Sequence, residues 1–346
     1  MAVTRQAIWF TGPFSVEVRA ETLPTPQAGQ VLVRTVISAI SSGTEKLLYR
    51  GEWPPDLPVD ETIPALAGRF SYPLRYGYAV VGQVVAAGEG VAKAWLGRLV
   101  FSFQPHVSFF VADLADVWPV PDGMSAETAV FLPYMETAVS FLMDGQPMIG
   151  EQVAVLGQGV IGLLTTALLT QFPLATLVTL DQYPMRRQWS KKLGATISLD
   201  PMEIKIAEQV RAILQTGDSY AGADLVYELS GNPAALDMAI EITGYNGRIV
   251  VGSWYGRHPV TLHLGGRFHR EHIQLISSQV SHIAPQWNGR WNKHRRLQVA
   301  WQMLTHIQPE QFITHRFSLH DAAQAYQSLV QAPQETLQII FEYQTE

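Results

Sequence analysis

A doubly wound α/β fold, with a parallel six-stranded sheet covered by helices on both faces, is expected for the middle of this chain, beside a smaller β-rich unit. Three observations lead there. Between about residues 137 and 280, short apolar runs alternate with helical stretches, the pattern of a parallel sheet with crossover helices. The first run, Val153-Ala154-Val155-Leu156, leads directly into Gly157-Gln158-Gly159-Val160-Ile161-Gly162. An acid, Asp181, closes the next run, 24 residues past Gly157.

The elements follow in order. A helix over 163–169 comes after the glycines, then a strand over 177–181, a helix over 185–193 and a strand over 197–199. A helix over 204–214, a strand over 224–228, a helix over 233–242 and strands over 248–252 and 273–277 complete the six-stranded set. From residue 1 to 136 the pattern changes to short β-rich pieces at 7–10, 31–36, 80–85 and 107–111. Pro24, Pro26, Gly29, Pro54, Pro55, Pro58 and Gly88-Glu89-Gly90 punctuate them. Pairing of such pieces predicts a small, partly open barrel. The tail, 281–346, has helical periodicity over 297–304 and 320–329 and a closing strand over 337–341, and is expected to return to the first domain. Domains over 1–136 and 137–280 are thus followed by a returning segment.

The glycine turn carries the most chemistry. Gly157 permits a sharp turn, Gly159 removes a side chain where a pyrophosphate would approach the backbone, and Gly162 allows close packing of helix on strand. The free N–H groups at the helix start, from Val160 and Ile161 onward, then suit a phosphate. Asp181 is placed to accept hydrogen bonds from adenosine ribose hydroxyls, which favours NAD. Arg186 or Arg187, just beyond it, suits a 2′-phosphate instead and keeps NADP open.

Composition narrows the alternatives. A chain of 346 residues with 47% hydrophobic residues has material for two cores. The net charge of −6 makes nucleic acid and anionic membranes poor partners, and the basic cluster Lys293-His294-Arg295-Arg296 reads as the solvated start of a helix. There are no cysteines, which excludes disulfides, thiolate nucleophiles and cysteine-based zinc sites. The N-terminus Met1-Ala2-Val3-Thr4-Arg5-Gln6 lacks the apolar run of a signal peptide, and no stretch approaches a membrane span, so a cytoplasmic protein acting on a small molecule is expected. His269 with His272, and His315 with His320, each lack a third ligand nearby; Gly265-Gly266-Arg267-Phe268 before the first pair predicts a loop.

Several stretches resemble the medium-chain dehydrogenase/reductase superfamily, the alcohol dehydrogenase-like proteins. They are Ser42-Gly43-Thr44-Glu45, Gly77-Tyr78-Ala79-Val80-Val81-Gly82, the glycine turn with Asp181, Gly247-Arg248-Ile249-Val250-Val251-Gly252 and Ile313-Thr314-His315-Arg316-Phe317. Ser41-Ser42-Gly43-Thr44-Glu45 with Tyr72-Pro73-Leu74 and Gly77-Tyr78 is most similar to the bacteriochlorophyllide-type dehydrogenases. The resemblance implies a Rossmann domain beside a GroES-like catalytic domain. Where the family holds catalytic zinc, this chain has Ser42, Tyr78 and Pro133, with Ala79 for the neighbouring Glu, and it lacks the four-cysteine lobe. No zinc is therefore expected.

The same resemblance implies that Thr44 contacts substrate oxygen and relays a proton, and that Thr137 contacts the nicotinamide. A turn-closing Thr44 and a capping Thr137 at a helix start are the structural alternatives. Glu45 and Glu136 are candidate acid/base groups or structural acceptors, and Tyr78 either donates to a carbonyl or fills the space of the zinc. His106 either lines the same cleft or is a satisfied core residue. Ser230, Gly252 and Ser253 are expected beside the nicotinamide. Three functions follow: a zinc-independent NAD(P)-dependent oxidoreductase acting on an alcohol/carbonyl pair, bulky or aromatic such as a chlorin; an NADPH-dependent quinone or enone reductase; and a non-catalytic dinucleotide-binding sensor or subunit. Relatives pair through the last strand of the nucleotide sheet, which predicts a homodimer through 273–277.

Overall fold

The computed structural model describes residues 3–54, 56–216 and 220–343; Met1, Ala2 and Pro55, named above, lie outside the described residues. The chain forms two units, one of Met1–Pro133 with Leu304–Glu346 and one of Tyr134–Met303. The divisions expected at 137 and 281 thus fall at 134 and 304. Both lie inside helices, Leu132–Gly145 and Lys293–Ile307, where composition gives no boundary signal.

In the 134–303 unit, six strands pair in the order Ile197–Leu199, Thr176–Leu180, Gln152–Leu156, Ala223–Glu228, Thr243–Val251, Gln274–Ser277. Every pairing is parallel. The first strand in sequence is central, so the order reverses beside it, and the carboxyl ends of Gln152–Leu156 and Ala223–Glu228 flank the switch point where such sheets bind ligands. Alternation fixes both faces: Val153 and Val155 pack with Phe141 and Tyr227 on one side, Ala154 and Leu156 with Ile240 and Ile249 on the other. Helix Pro233–Ile242 starts with Pro233 after Asn232, whose side chain caps Ala234 N–H at 3.1 Å. Helix Pro184–Lys192 carries Lys191 and Lys192 in its last turn, where the helix dipole favours cations.

The remaining unit contains a mixed sheet ordered Ile313–Ser318, Gln338–Glu342, Gln30–Ala39, Val80–Ala87, Leu99–Ser102, Trp118–Pro119, with Phe109–Asp113 also pairing Gln30–Ala39. The closing strand lies antiparallel to Gln30–Ala39, with Ile340 opposite Ala39, so the tail strand belongs to this sheet. The hairpin Val3–Gly12/Ser15–Leu23 includes a strand not anticipated from composition. Glu17, Arg19 and Glu21 alternate with apolar residues there, and the charge masks a period-two pattern. Glu21 accepts Trp9 Nε1–H at 2.6 Å and pairs with Arg5 and Arg75.

Two local expectations are corrected. Arg296 is not part of a solvated helix start but is 1% exposed. It donates to Glu136 Oε1 at 2.9 and 3.1 Å and to Ser140 Oγ at 3.2 Å, and it also reaches the carbonyls of Val280 and His282. The loop expected over 265–268 is a short π-type turn, Leu264–Phe268, broken at Gly266. Arg296→Leu would leave the Glu136 carboxylate buried without its counter-charge, at an expected cost of about 3–5 kcal/mol to the 134–303 unit. Urea denaturation followed by tryptophan fluorescence measures this.

Candidate functional site

The glycine turn lies at the carboxyl end of Gln152–Leu156, at the switch point. Gly157 has φ of +90°, and a methyl on it would lie 2.5 Å from Ser230 Cα. A methyl on Gly162 would lie 2.0 Å from Gly157 O. Gly159 differs: the nearest atom to a methyl there is Arg186 Nη1 at 4.0 Å. The polypeptide therefore demands glycine at 157 and 162, while at 159 it leaves open space. Helix Val160–Leu169 begins at Gly159 with no side-chain cap, so the first-turn N–H groups of Val160 and Ile161 are available to an anion. These features fit a dinucleotide pyrophosphate.

Asp181 is 6% exposed at the end of the neighbouring strand. Its Oδ2 accepts Gln158 N–H at 2.7 Å and its Oδ1 accepts Tyr183 N–H at 2.9 Å, which ties the acid to the glycine turn and leaves lone pairs for further donors. Arg186 Nη1 lies 3.8 Å from Asp181 Oδ2, with its guanidinium stacked 4.7 Å from the Tyr183 ring centroid. Arg187 faces elsewhere: it donates to the carbonyls of Asp181 and Gln182 and to Asp200 Oδ2 at 3.0 Å. Of the two arginines, Arg186 is the one beside the acid.

Across the switch point, the loops after the fourth and fifth strands share a buried carboxylate that the sequence reading missed. Glu228 is fully buried. Its Oε1 accepts Ser230 N–H at 2.9 Å and Ser230 Oγ–H at 2.5 Å, and its Oε2 accepts the Tyr255 hydroxyl. Burial and the Glu228 charge hold the Tyr255 phenol well above its usual value. Ser253 Oγ accepts Gly231 N–H at 2.8 Å. A methyl at Gly252 would lie 2.4 Å from the Phe141 ring, so no side chain fits there. The available signal was an acid ending a buried run two residues before a serine. Thr137 lies in the second turn of Leu132–Gly145, so it is not the capping residue expected; the helix starts five residues earlier. Glu136, beside it, is engaged by Arg296; burial raises its carboxyl above the usual range and the Arg296 charge opposes this.

In the other unit, Thr44 opens helix Thr44–Arg50 after Gly43, with no side-chain cap. Tyr78 hydrogen-bonds Ser41 Oγ and Thr44, so three hydroxyls are joined. Burial pushes the Tyr78 phenol up to about 12, against the lowering effect of those two hydrogen bonds. At neutral pH it is a phenol, not a phenolate, and a poor zinc ligand. Ser42 offers only a hydroxyl and Pro133 no side-chain donor. The residues at the family's zinc positions do not fit the metal, and among the described residues no group of three His, Cys, Asp or Glu is arranged to hold one.

Glu45 and His106, read from the sequence as separate candidates, are brought together. Both are fully buried, with His106 Nε2 3.0 Å from Glu45 Oε2. Tyr326, 281 residues away in sequence, donates to the same oxygen at 2.5 Å. His315 instead stacks on Phe317 in the Ile313–Ser318 strand, and His263 pairs with Asp237 at 2.7 Å.

Residues 160–293 match the sequence family described as zinc-binding dehydrogenase. That stretch lies in the nucleotide-binding unit and contains none of Ser42, Tyr78 or Pro133. The chain is 23% identical over 331 residues to D-guloside 3-dehydrogenase of Escherichia coli K12, covering 90% of this chain and 92% of that protein. Its fold is shared with a short chain alcohol dehydrogenase from E. coli CFT073 complexed with NADH (TM-score 0.79, 19% identity, 98% and 99% of the two chains). It is also shared with a protein described as a zinc-binding dehydrogenase from Sinorhizobium meliloti 1021, bound to NADP (TM-score 0.78, 18% identity, 98% and 99%).

The open space at Gly159 gives a clean test of the cradle. Gly159→Ala is expected to leave the thermal midpoint within about 2 °C, because its methyl meets no protein atom nearer than 4.0 Å, while weakening NADH binding at least about tenfold (~1.4 kcal/mol). Calorimetric titration and a melting curve check both halves.

Proposed function

We propose that this chain, an alcohol dehydrogenase-like protein by its fold and over its nucleotide-binding segment, is a zinc-independent, NAD-dependent oxidoreductase acting on an alcohol/carbonyl pair. The observation that carries this reading is the joined hydroxyl set of Thr44, Tyr78 and Ser41, in which Tyr78 stands at one zinc-donor position of the resemblance and Ser41 and Thr44 lie within two residues of another, Ser42. Hydride transfer needs a rigidly held nicotinamide, a donor on the substrate oxygen and a proton route. The residues that would hold the cofactor are Gly157, Gly159, Val160, Ile161 and Gly162 at the pyrophosphate and Asp181 with Arg186 at the adenosine ribose. Thr137, Ser230, Gly252 and Ser253 would line its nicotinamide half. When bound, the cofactor supplies or accepts the hydride.

The chain's own groups do the rest. The Thr44 hydroxyl donates to the substrate oxygen, and as both donor and acceptor it passes a proton without ionising. Tyr78 stays protonated at neutral pH and holds Thr44 in place, or donates beside it. Glu136 is a structural counter-ion to Arg296 rather than an acid or base. Asp181 disfavours a 2′-phosphate by charge repulsion, while Arg186, already paired with that acid, offers only partial compensation; this supports NAD over NADP. A bulky or aromatic substrate stays part of the proposal, but the rings that lead to Tyr78 are core residues and do not argue for it, Trp53 being 3% and Tyr76 2% exposed. Trp53 stacks on Phe70 at 5.8 Å and meets Tyr76 edge-on at 5.7 Å, and Tyr76 meets Tyr78 at 6.2 Å. A homodimer is supported by the Gln274–Ser277 edge, which pairs on one side only and leaves Leu275 37% exposed.

Three outcomes test the reading. NADH is expected to bind at least about tenfold tighter than NADPH (~1.4 kcal/mol), by tryptophan fluorescence titration; a preference for NADPH moves the quinone or enone reductase reading ahead. Exhaustive treatment with a zinc chelator is expected to leave turnover with an aromatic alcohol unchanged, and loss of activity restored by zinc would overturn zinc independence. Thr44→Val is expected to lower kcat by roughly 10²-fold or more with the NADH Kd unchanged.

A further inference from the structure

The hydroxyl pair sits on a buried polar couple whose members come from five separate segments. Glu45 directly follows Thr44, and its Oε1 accepts Ser41 N–H at 2.7 Å, while Ser41 Oγ takes the Tyr78 hydrogen bond. Its Oε2 is shared by His106 Nε2 at 3.0 Å and the Tyr326 hydroxyl at 2.5 Å. On the far side of the imidazole, Ser38 Oγ lies 2.7 Å from Nδ1 and 2.9 Å from the Tyr343 hydroxyl. The imidazole also presses on the residue before Tyr78: Gly77 has φ of +120°, and a methyl there would lie 2.8 Å from His106 Cδ2 and Nε2. The His106 ring therefore lies against an immediate chain neighbour of each hydroxyl residue, Glu45 beside Thr44 and Gly77 beside Tyr78.

We propose that Glu45, His106 and Tyr326 are positioning residues that fix the Thr44 and Tyr78 hydroxyls relative to one another, without touching the substrate. This rests on the reading of Thr44 and Tyr78 as the groups at the substrate oxygen. A carboxylate with no exposed surface is stable only with its donors in place, so these hydrogen bonds hold the 41–45 turn in one arrangement. Displacement of a reacting group by about 1 Å costs on the order of 10²-fold in rate; a couple that removes the turn's freedom acts on turnover rather than on cofactor affinity. Tyr326 is the member best suited to a test, because its ring is held independently by Phe10 edge-on at 5.0 Å and by Tyr49 stacked at 5.4 Å.

The experiment is a double-mutant cycle on the full chain with Tyr326→Phe and Thr44→Val, reading kcat and KM with an aromatic alcohol and the Kd for NADH. Tyr326→Phe is expected to lower kcat about 10- to 100-fold with the NADH Kd unchanged. Combined with Thr44→Val it is expected to add less than about threefold, because the hydroxyl it positions is already gone. Glu45→Gln serves as the second variant, and the same non-additivity is expected. Unchanged kcat in Tyr326→Phe, or effects that multiply fully in the double variant, overturn the positioning role while leaving the dehydrogenase reading intact. An unmodified protein that binds NADH but turns over no alcohol or ketone overturns that reading, and the inference falls with it.

Discussion

A carboxylate taken out of water must be met by donors, and four of the buried carboxylates among the described residues order the segments that carry the candidate residues. Glu45, Glu136, Asp181 and Glu228 are each 6% exposed or less. An unmatched buried charge costs several kcal/mol, so each imposes order on the segments that answer it. Glu45 gathers His106, Tyr326 and the Ser41 amide. Glu136 takes Arg296. Asp181 takes the amides of Gln158 and Tyr183, and Glu228 takes Ser230 and Tyr255. Apolar burial makes the two cores, but it is non-directional; these acids supply direction at the places where chemistry is expected.

The four differ in what they leave unused. Glu136 meets a guanidinium that also reaches Ser140 and two carbonyls, a closed arrangement with no capacity left for a substrate. Asp181 is answered by two backbone amides, neither of them charged, beside an arginine at 3.8 Å. The first is the signature of a structural pair and the second of a group that still has acceptor capacity. Burial alone does not distinguish a structural acid from a functional one; the identity and geometry of the donors do.

How much of this was legible depends on sequence separation. The strand, glycine turn, helix and acid over 153–181 were readable because each part is local and each glycine has a steric reason. All six strands of the nucleotide sheet were found, with ends shifted by a few residues. Glu45, Tyr78 and Thr44 were recognised as candidates, and the sequence placed them no better than near a cleft. Glu45 is met by Tyr326 from helix Ala322–Gln331, 281 positions away, and Ser38 lies on a strand that pairs with the closing strand Gln338–Glu342, separations that leave no local signal. Arg296 was misread because Lys293, His294 and Arg295 around it suggest a solvated face, and only the opposed Glu136 reveals otherwise. Glu228 was passed over because a single acid at the end of an apolar run carries no motif.

The two amides held by Asp181 have a consequence for how cofactor taste can change. Exchange of this acid for a small neutral residue, the obvious step toward accepting a phosphorylated ribose, would also strip the acceptors from Gln158 N–H and Tyr183 N–H and so loosen the glycine turn itself. On the proposed reading of Asp181 as the ribose acceptor, preference and scaffold are coupled through the same two oxygens. If the proposed NAD preference holds, a laboratory lineage selected for NADP must first find a replacement acceptor for those amides, so the earliest accessible steps lie at Arg186 and Tyr183, and the acid is the last position to yield.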